Sequence, residues 1–229
     1  MNNPLKISFK TEIFPTLLVL VSVAASFYFY AHFPARVITH WGFNGEPNGW
    51  SSPAFAAFFF PPLILGIYLL FLFLPLFDPK KERYAEFAGT YHLLKTVFVL
   101  FFVGVYFLAS LANLGYAIPI GTMVPFLVGL LFIVIGNYLG KVKRNWYIGI
   151  RTPWTLSSEE VWNKSHRLGG KMFMLAGFLM IIDGFVWRGL QIPLFIVTIS
   201  IVLVVPIVYS YVLFRKEKQE KKSDAEKES

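Results

Sequence analysis

Residues 136–171 read GNYLGKVKRNWYIGIRTPWTLSSEEVWNKSHRLGGK, a basic and tryptophan-bearing segment set between two apolar runs. Seven of its residues are Lys or Arg: Lys141, Lys143, Arg144, Arg151, Lys164, Arg167 and Lys171. Outward from it the chain is mostly apolar. Runs at about 14–32, 54–77, 93–113, 120–138, 171–188 and 193–214 approach the roughly 20 residues a helix needs to cross a bilayer. Hydrophobic residues make up 56% of the chain and charged residues 15%, against about 25% charged in soluble domains. Mean hydropathy is +0.59. A soluble fold of this size cannot hide so much apolar surface. A lone strand would leave its backbone groups unpaired in lipid, so each run is expected to be helical. The expected fold is an all-α integral membrane protein with six transmembrane helices. The apolar run near the N-terminus has no small-residue cleavage site ahead of Pro34, so it reads as a retained span and not a signal peptide.

Charge sets the expected orientation. Two Lys precede the first run, four cations lie between or beside the second and third, seven fill the 139–170 loop and its flank, and six follow Phe214. These nineteen share one side in a six-span arrangement, while Arg36 and Arg188 stand alone on the other. Cytoplasmic loops are the ones enriched in Lys and Arg, so both termini are expected to be cytoplasmic. This also accounts for the net charge of +8 without a nucleic-acid partner. The chain has no cysteine, which excludes disulfides, a thiolate nucleophile and Cys-ligated metal. No cofactor is expected. The organisation is then a tail over 1–13, a two-span unit over 14–77, a four-span unit over 78–214 carrying the basic loop 139–170, and a charged, disordered tail over 215–229.

The loop between the first two runs, HWGFNGEPNGW at 40–50, is expected to face outward. Gly45-Glu46-Pro47-Asn48-Gly49 is turn chemistry, since Pro presets φ at a turn's second position and Asn-Gly tolerates the later ones. Trp41 and Trp50 suit the membrane–water interface, where an apolar ring with a polar N–H is at home. One reading is an aromatic-anchored turn lying on the membrane. The other makes the same turn a binding surface, with His40, Asn44 and Glu46 as hydrogen-bonding groups and the tryptophans as anchors. His32, His40 and Glu46 match no zinc spacing.

In the basic loop, Ser157-Ser158-Glu159-Glu160 has the pattern of a capping box, with Ser157 as cap. A helix is expected from about Ser158 to Arg167, ending where the chain turns at Gly169-Gly170. Trp162 and His166 share its face, as do Glu160 and Lys164. Pro153 disfavours helix at Thr152. The lysines fit positive-inside topology and attraction to anionic lipid; Arg151 and Arg167, set among Trp, Asn and His, suit a specific polar arrangement. Enzyme motifs such as HExxH, GxSxG or a phosphate-binding glycine loop are absent, so no catalytic residue is assigned. An enzyme would have to centre on His166 with Glu159 or Glu160. A small transporter or lipid flippase would use Asp183, Lys95 and a kink at Pro61-Pro62. Asp183 reads first as an acid that snorkels or pairs with Arg188, and then as a relay or ligand group.

Two stretches carry a resemblance. The segment from Pro34 through His40-Trp41 and Asn44-Gly45 to Trp50 resembles the loop motif of a bacterial membrane domain of unassigned function. The segment Gly136-Asn137-Tyr138-Leu139-Gly140-Lys141, continuing from Asn145-Trp146-Tyr147-Ile148-Gly149-Ile150-Arg151-Thr152-Pro153-Trp154 to Trp162 and His166-Arg167, resembles the signature of the SdpI family of bacterial immunity proteins. The resemblance spans roughly residues 30–185. It implies a non-enzymatic protein of the bacterial cell membrane that gives immunity to, or senses, a membrane-active peptide toxin. It also implies a cytoplasmic transcriptional repressor as partner, beside the lipid bilayer itself. The binding residues it suggests are His40, Trp41, Asn44, Gly45 and Trp50 on one side of the membrane. On the other they are Asn137, Asn145, Gly149, Arg151, Thr152, Pro153, Trp154, Trp162, His166 and Arg167.

Overall fold

The computed structural model describes residues 5, 7–43, 45–186 and 188–228. Its elements, in order, are α1 (Phe9–His32), β1 (Val37–Trp41), β2 (Pro47–Ser51), α2 (Pro53–Phe58), α3 (Phe60–Phe73), α4 (Ala88–Asn113), α5 (Ile120–Leu139), α6 (Pro153–Ser157), α7 (Glu159–Asp183) and α8 (Arg188–Glu228). Two 3-10 turns, Leu74–Phe77 and Lys81–Phe87, join α3 to α4. Among the described residues, five helical stretches are long and apolar enough to cross a membrane: Phe9–His32, Pro53–Phe77, Lys81–Asn113, Ile120–Leu139 and Gly189–Lys227. The expected run at 171–188 begins inside α7, whose first turns carry Glu159, Glu160 and Lys164, but the helix ends at Asp183. The protein is an all-α membrane protein with one short β-hairpin.

Local chemistry explains most boundaries. Ser8 caps α1 in a capping box with Thr11, so the helix begins before the apolar run and takes in Glu12. Pro61 and Pro62 supply no backbone N–H, and the second span breaks at Phe59 into α2 and α3. Ser158, not Ser157, caps α7, its Oγ accepting from the Val161 N–H; Ser157 instead ends the short helix α6. Thr152 caps α6 reciprocally with Thr155.

Two further expectations about the helices fail. The chain does not turn at Gly169-Gly170, because α7 runs unbroken from Glu159 to Asp183. These glycines serve contact instead. Thr122, Gly129 and Gly136 of α5 oppose Gly184, Gly177 and Gly170 at steps of seven residues, antiparallel. A Cβ on Gly129 would lie 2.6 Å from the Gly177 carbonyl oxygen, and one on Gly177 would lie 2.6 Å from that of Gly129. The Gly136–Gly170 pair repeats this at 2.6 Å in both directions. Small residues let membrane helices approach backbone to backbone, where lipid offers no hydrophobic drive to associate. Nor is the segment after Phe214 disordered: α8 continues through Glu228. Pairs at i, i+4 such as Glu217–Lys221 and Lys216–Glu220 line it and favour helix by a few tenths of a kcal/mol each.

Candidate functional site

The two sequence motifs lie at opposite ends of the bundle and differ in construction. At the basic end, Asn145 is fully buried. Its Oδ1 accepts from the backbone N–H groups of Tyr147 and Ile148 at 2.8 and 2.7 Å, and its Nδ2 donates to the carbonyls of Lys143 and Ile148. Tyr84 also donates to it, at 3.3 Å, and to Asp78 at 2.9 Å. Asp78, buried, accepts in addition from the Trp146 N–H. Asn145 therefore folds the loop on itself and ties it to the α3–α4 connection.

Gly149 then passes against α7 with φ of 113°. A Cβ there would sit 2.3 Å from His166 Nε2, so only glycine fits on both counts. His166 is fully buried and stacks on Trp162 at 3.9 Å. Its Nδ1 donates to the Trp162 carbonyl, and its Nε2 accepts from the Ile150 N–H at 3.0 Å. Both ring nitrogens are thus used in one neutral tautomer. His166 precedes the apolar part of α7, and burial pushes its pKa down to about 4. Trp162 Nε1 donates to the Val142 carbonyl. Thr152 meets Ser210, and Trp154 packs on Tyr211, which docks the segment on α8.

The structure therefore gathers Asn145, Gly149, Thr152, Pro153, Trp154, Trp162 and His166 into one clamp. Arg151 is exposed and donates to the Trp146 carbonyl. Asn137 and Arg167 are exposed beside the clamp, not in it. The enzyme constellation does not assemble: Glu159 binds Arg83, and Glu160 binds Lys164. The Arg83 hydrogen bond holds the Glu159 carboxyl below its usual range.

At the other end, β1 and β2 pair antiparallel, with His40 opposite Gly49 and Trp41 opposite Pro47. The turn falls at residues 42–46, closed by the Gly42 N–H donating to the Glu46 carbonyl, with Gly45 at φ of 74°. This is earlier than the expected 45–49, because Pro47, Asn48 and Gly49 extend as strand. His40 Nδ1 contacts Asn48 Oδ1 across the strands, and Arg36 lies 5.4 Å over Trp50. The tryptophans do not face each other, since Trp50 pairs with Ile38. Asn44 lies outside the described residues. Asn113, at the end of α4, grips Ile38 twice, accepting from its N–H and donating to its carbonyl. That clamp pins the hairpin to the bundle and was invisible locally, 75 residues separating the partners.

Beneath the hairpin is a cavity of about 690 Å³. Its walls are largely apolar, from Phe55, Phe59, Val105, Val124, Met180 and Phe195. His40, Trp41 and Phe43 of the hairpin border it. Asp183 and Gln191 line it too. The Arg188 side chain expected to pair with Asp183 lies outside the described residues. Of the proposed transport residues only Asp183 lines this cavity. Lys95 is buried elsewhere, donating to Glu12 at 2.6 Å, with Tyr68 donating to the same carboxylate at 2.8 Å and His92 beside it. Glu12 adds an acid that the sequence reading placed outside the first span.

The fold and these two ends define a multi-helix membrane protein with a hairpin-capped cavity and a closed basic clamp. Residues 141–210, the clamp with α6, α7 and most of α8, match the SdpI/YfhL protein family. Residues 17–65, which hold the hairpin, match a domain of unknown function, DUF1648. The chain is 28% identical over 207 residues to the immunity protein SdpI of Bacillus subtilis (strain 168), covering 90% of this chain and 97% of that protein. The resemblance to the SdpI family thus extends across most of the chain. No solved structure matches it.

Proposed function

We propose that this protein spans a bacterial cell membrane six times, with the basic clamp and both termini in the cytoplasm, and confers immunity to a membrane-active peptide by binding and not by catalysis. α7, 25 residues long, supplies most of the sixth span, with its polar first turns at the cytoplasmic face. The asymmetry of Lys and Arg supports the orientation, and the near full-length similarity to an immunity protein supports the activity. The observation that carries the binding reading is the hairpin: it holds His40 and Trp41 at the rim of a large apolar cavity on the side an external peptide reaches first. Aromatic anchors at a desolvated pocket are the usual source of binding energy. A cytoplasmic repressor, if one is sequestered, would meet the exposed cations Lys141 and Arg167 around the clamp.

Two experiments test this. The chain lacks cysteine, so single cysteines at Trp50 and Arg167 report sidedness with a membrane-impermeant thiol reagent. Labelling of the first but not the second in intact cells is expected; the reverse overturns the orientation. Expression in cells sensitive to a membrane-active peptide should protect them, and His40→Ala with Trp41→Ala should remove that protection at unchanged protein level. Equal sensitivity with and without the wild-type protein, across a panel of such peptides, overturns the immunity reading.

A further inference from the structure

The hairpin cavity holds a chemical contradiction. Its walls are apolar, yet Asp183 and Gln191 are only 5% and 8% exposed. Among the described residues, Asp183 Oδ1 and Gln191 Oε1 have no hydrogen-bond partner. The two residues adjoin, because Gln191 Nε2 donates to the Asp183 backbone carbonyl at 3.3 Å. That bond aligns the amide and leaves its oxygen over. The orphan atoms are both acceptors, and one belongs to a carboxylate. A buried polar group without a partner is costly, and a buried ionised carboxylate more so. The Asn113 amide, which also lines the cavity, is already committed to Ile38 and Ala109.

What satisfies such a pair is a compact cationic donor with several N–H groups. What satisfies the rest of the cavity is a hydrocarbon body, since ligand sites of this size are mostly apolar with a few convergent polar groups. We propose that the hairpin cavity binds an amphiphilic primary amine, its ammonium donating to Asp183 and Gln191 and its apolar body lying along α4, α5 and α8. The inference rests on the cavity alone and not on the immunity reading. It assigns Asp183 to ligand recognition in place of a snorkelling or transport role.

The test uses the full chain purified in a maltoside detergent and the tryptophan fluorescence of Trp41, which lines the cavity. Dodecylamine, dodecyltrimethylammonium and dodecanol share one chain; only the first presents a cation with N–H donors. Dodecylamine is expected to bind at least about tenfold more tightly than either of the others and to raise the thermal midpoint by about 5 °C at saturation. Asp183→Asn should abolish that preference, and the ligand-free variant should melt no lower than wild type, since it loses a buried, unpaired carboxylate. Gln191→Leu, which keeps the carboxylate, should weaken dodecylamine alone and serves if Asp183→Asn does not accumulate. Equal binding of all three amphiphiles, or a dodecylamine preference that survives both substitutions, overturns the proposal. Nanodiscs of phosphatidylethanolamine against phosphatidylcholine, and a lysine-bearing hydrophobic peptide against its norleucine counterpart, then separate a lipid amine from a peptide amine. Loss of cellular immunity with intact amine binding would remove the peptide reading and leave this one standing.

Discussion

The basic clamp and the hairpin cavity carry comparable sequence richness but opposite physics. In the clamp, Asn145, Trp162 and His166 are fully buried and their polar atoms are matched to named partners. At the hairpin, Trp50 is about half exposed, His40 is exposed, and Asp183 Oδ1 and Gln191 Oε1 are unmatched among the described residues. These three clamp side chains have completed their interactions within the chain, although the buried Ser165 hydroxyl beside them has no partner among the described residues; the cavity's acid and amide have not, and one of those groups is a carboxylate. A dense motif of Trp, Asn, His and Gly can therefore mark an intramolecular lock, and the emptier end is where a ligand has something to gain. Arg151, Asn137 and Arg167 lie exposed at the clamp's rim.

Substitutions break the comparison in a graded way. Gly149→Ala combines a positive φ with a collision at His166, and should cost about 4 kcal/mol or prevent the protein from accumulating, as measured by membrane-fraction yield and thermal midpoint. Asn145→Ala leaves the Tyr147 and Ile148 N–H groups unpaired inside the clamp, with an expected loss of about 3 kcal/mol by denaturant titration. If it costs under about 1 kcal/mol, the clamp is not a lock.

His166 adds a pH signature of similar size. Its folded pKa near 4 lies below the unfolded value of 6.5, so between those values the unfolded chain binds the extra proton. Stability is full above about pH 6.5 and declines as pH falls towards 4, by about 3 kcal/mol. The decline should flatten in His166→Gln, whatever that variant's absolute midpoint. At the other end, His40→Ala should change stability by less than about 0.5 kcal/mol while removing protection against a peptide, a separation that no clamp substitution should show. The smallest effect belongs to the Arg83–Glu159 pair. The Glu159 carboxyl is held low, so its contribution is present above the usual glutamate range and fades as pH falls through it. Because the side chain is 40% exposed, Glu159→Gln should cost no more than about 0.5 kcal/mol at neutral pH, and high salt should shrink even that.

Some of this was legible locally and some was not. Trp162 and His166, four residues apart, were readable as sharing a helical face because the helix period brings them together. The break at Pro61-Pro62 followed from the missing N–H groups. Gly169-Gly170 read as a turn because glycine most often punctuates; packing against Gly136 outweighed that preference and kept α7 whole. The seven-residue spacing of Gly129 with Gly136, and of Gly170 with Gly177, was the available signal, though it does not say which helix faces which. The tail after Phe214 read as disordered from composition, but its i, i+4 charge order and its covalent continuity with a long helix favour helix. Glu12 was missed because the apolar run begins two residues later, while the Ser8 cap starts the helix earlier.

The amino-acid sequence by itself determined that this is a membrane protein, roughly where its apolar helices lie, and which end is basic. Those properties add up residue by residue along a segment, so run length and charge counts suffice. Only the tertiary structure decided that Asn113 grips Ile38, that α5 and α7 touch through paired glycines, and that Asp183 and Gln191 meet beneath the hairpin, each with an acceptor oxygen unmatched among the described residues. Each of those depends on which helices become neighbours and in what register, a choice made by packing across tens of residues and not written in any one stretch.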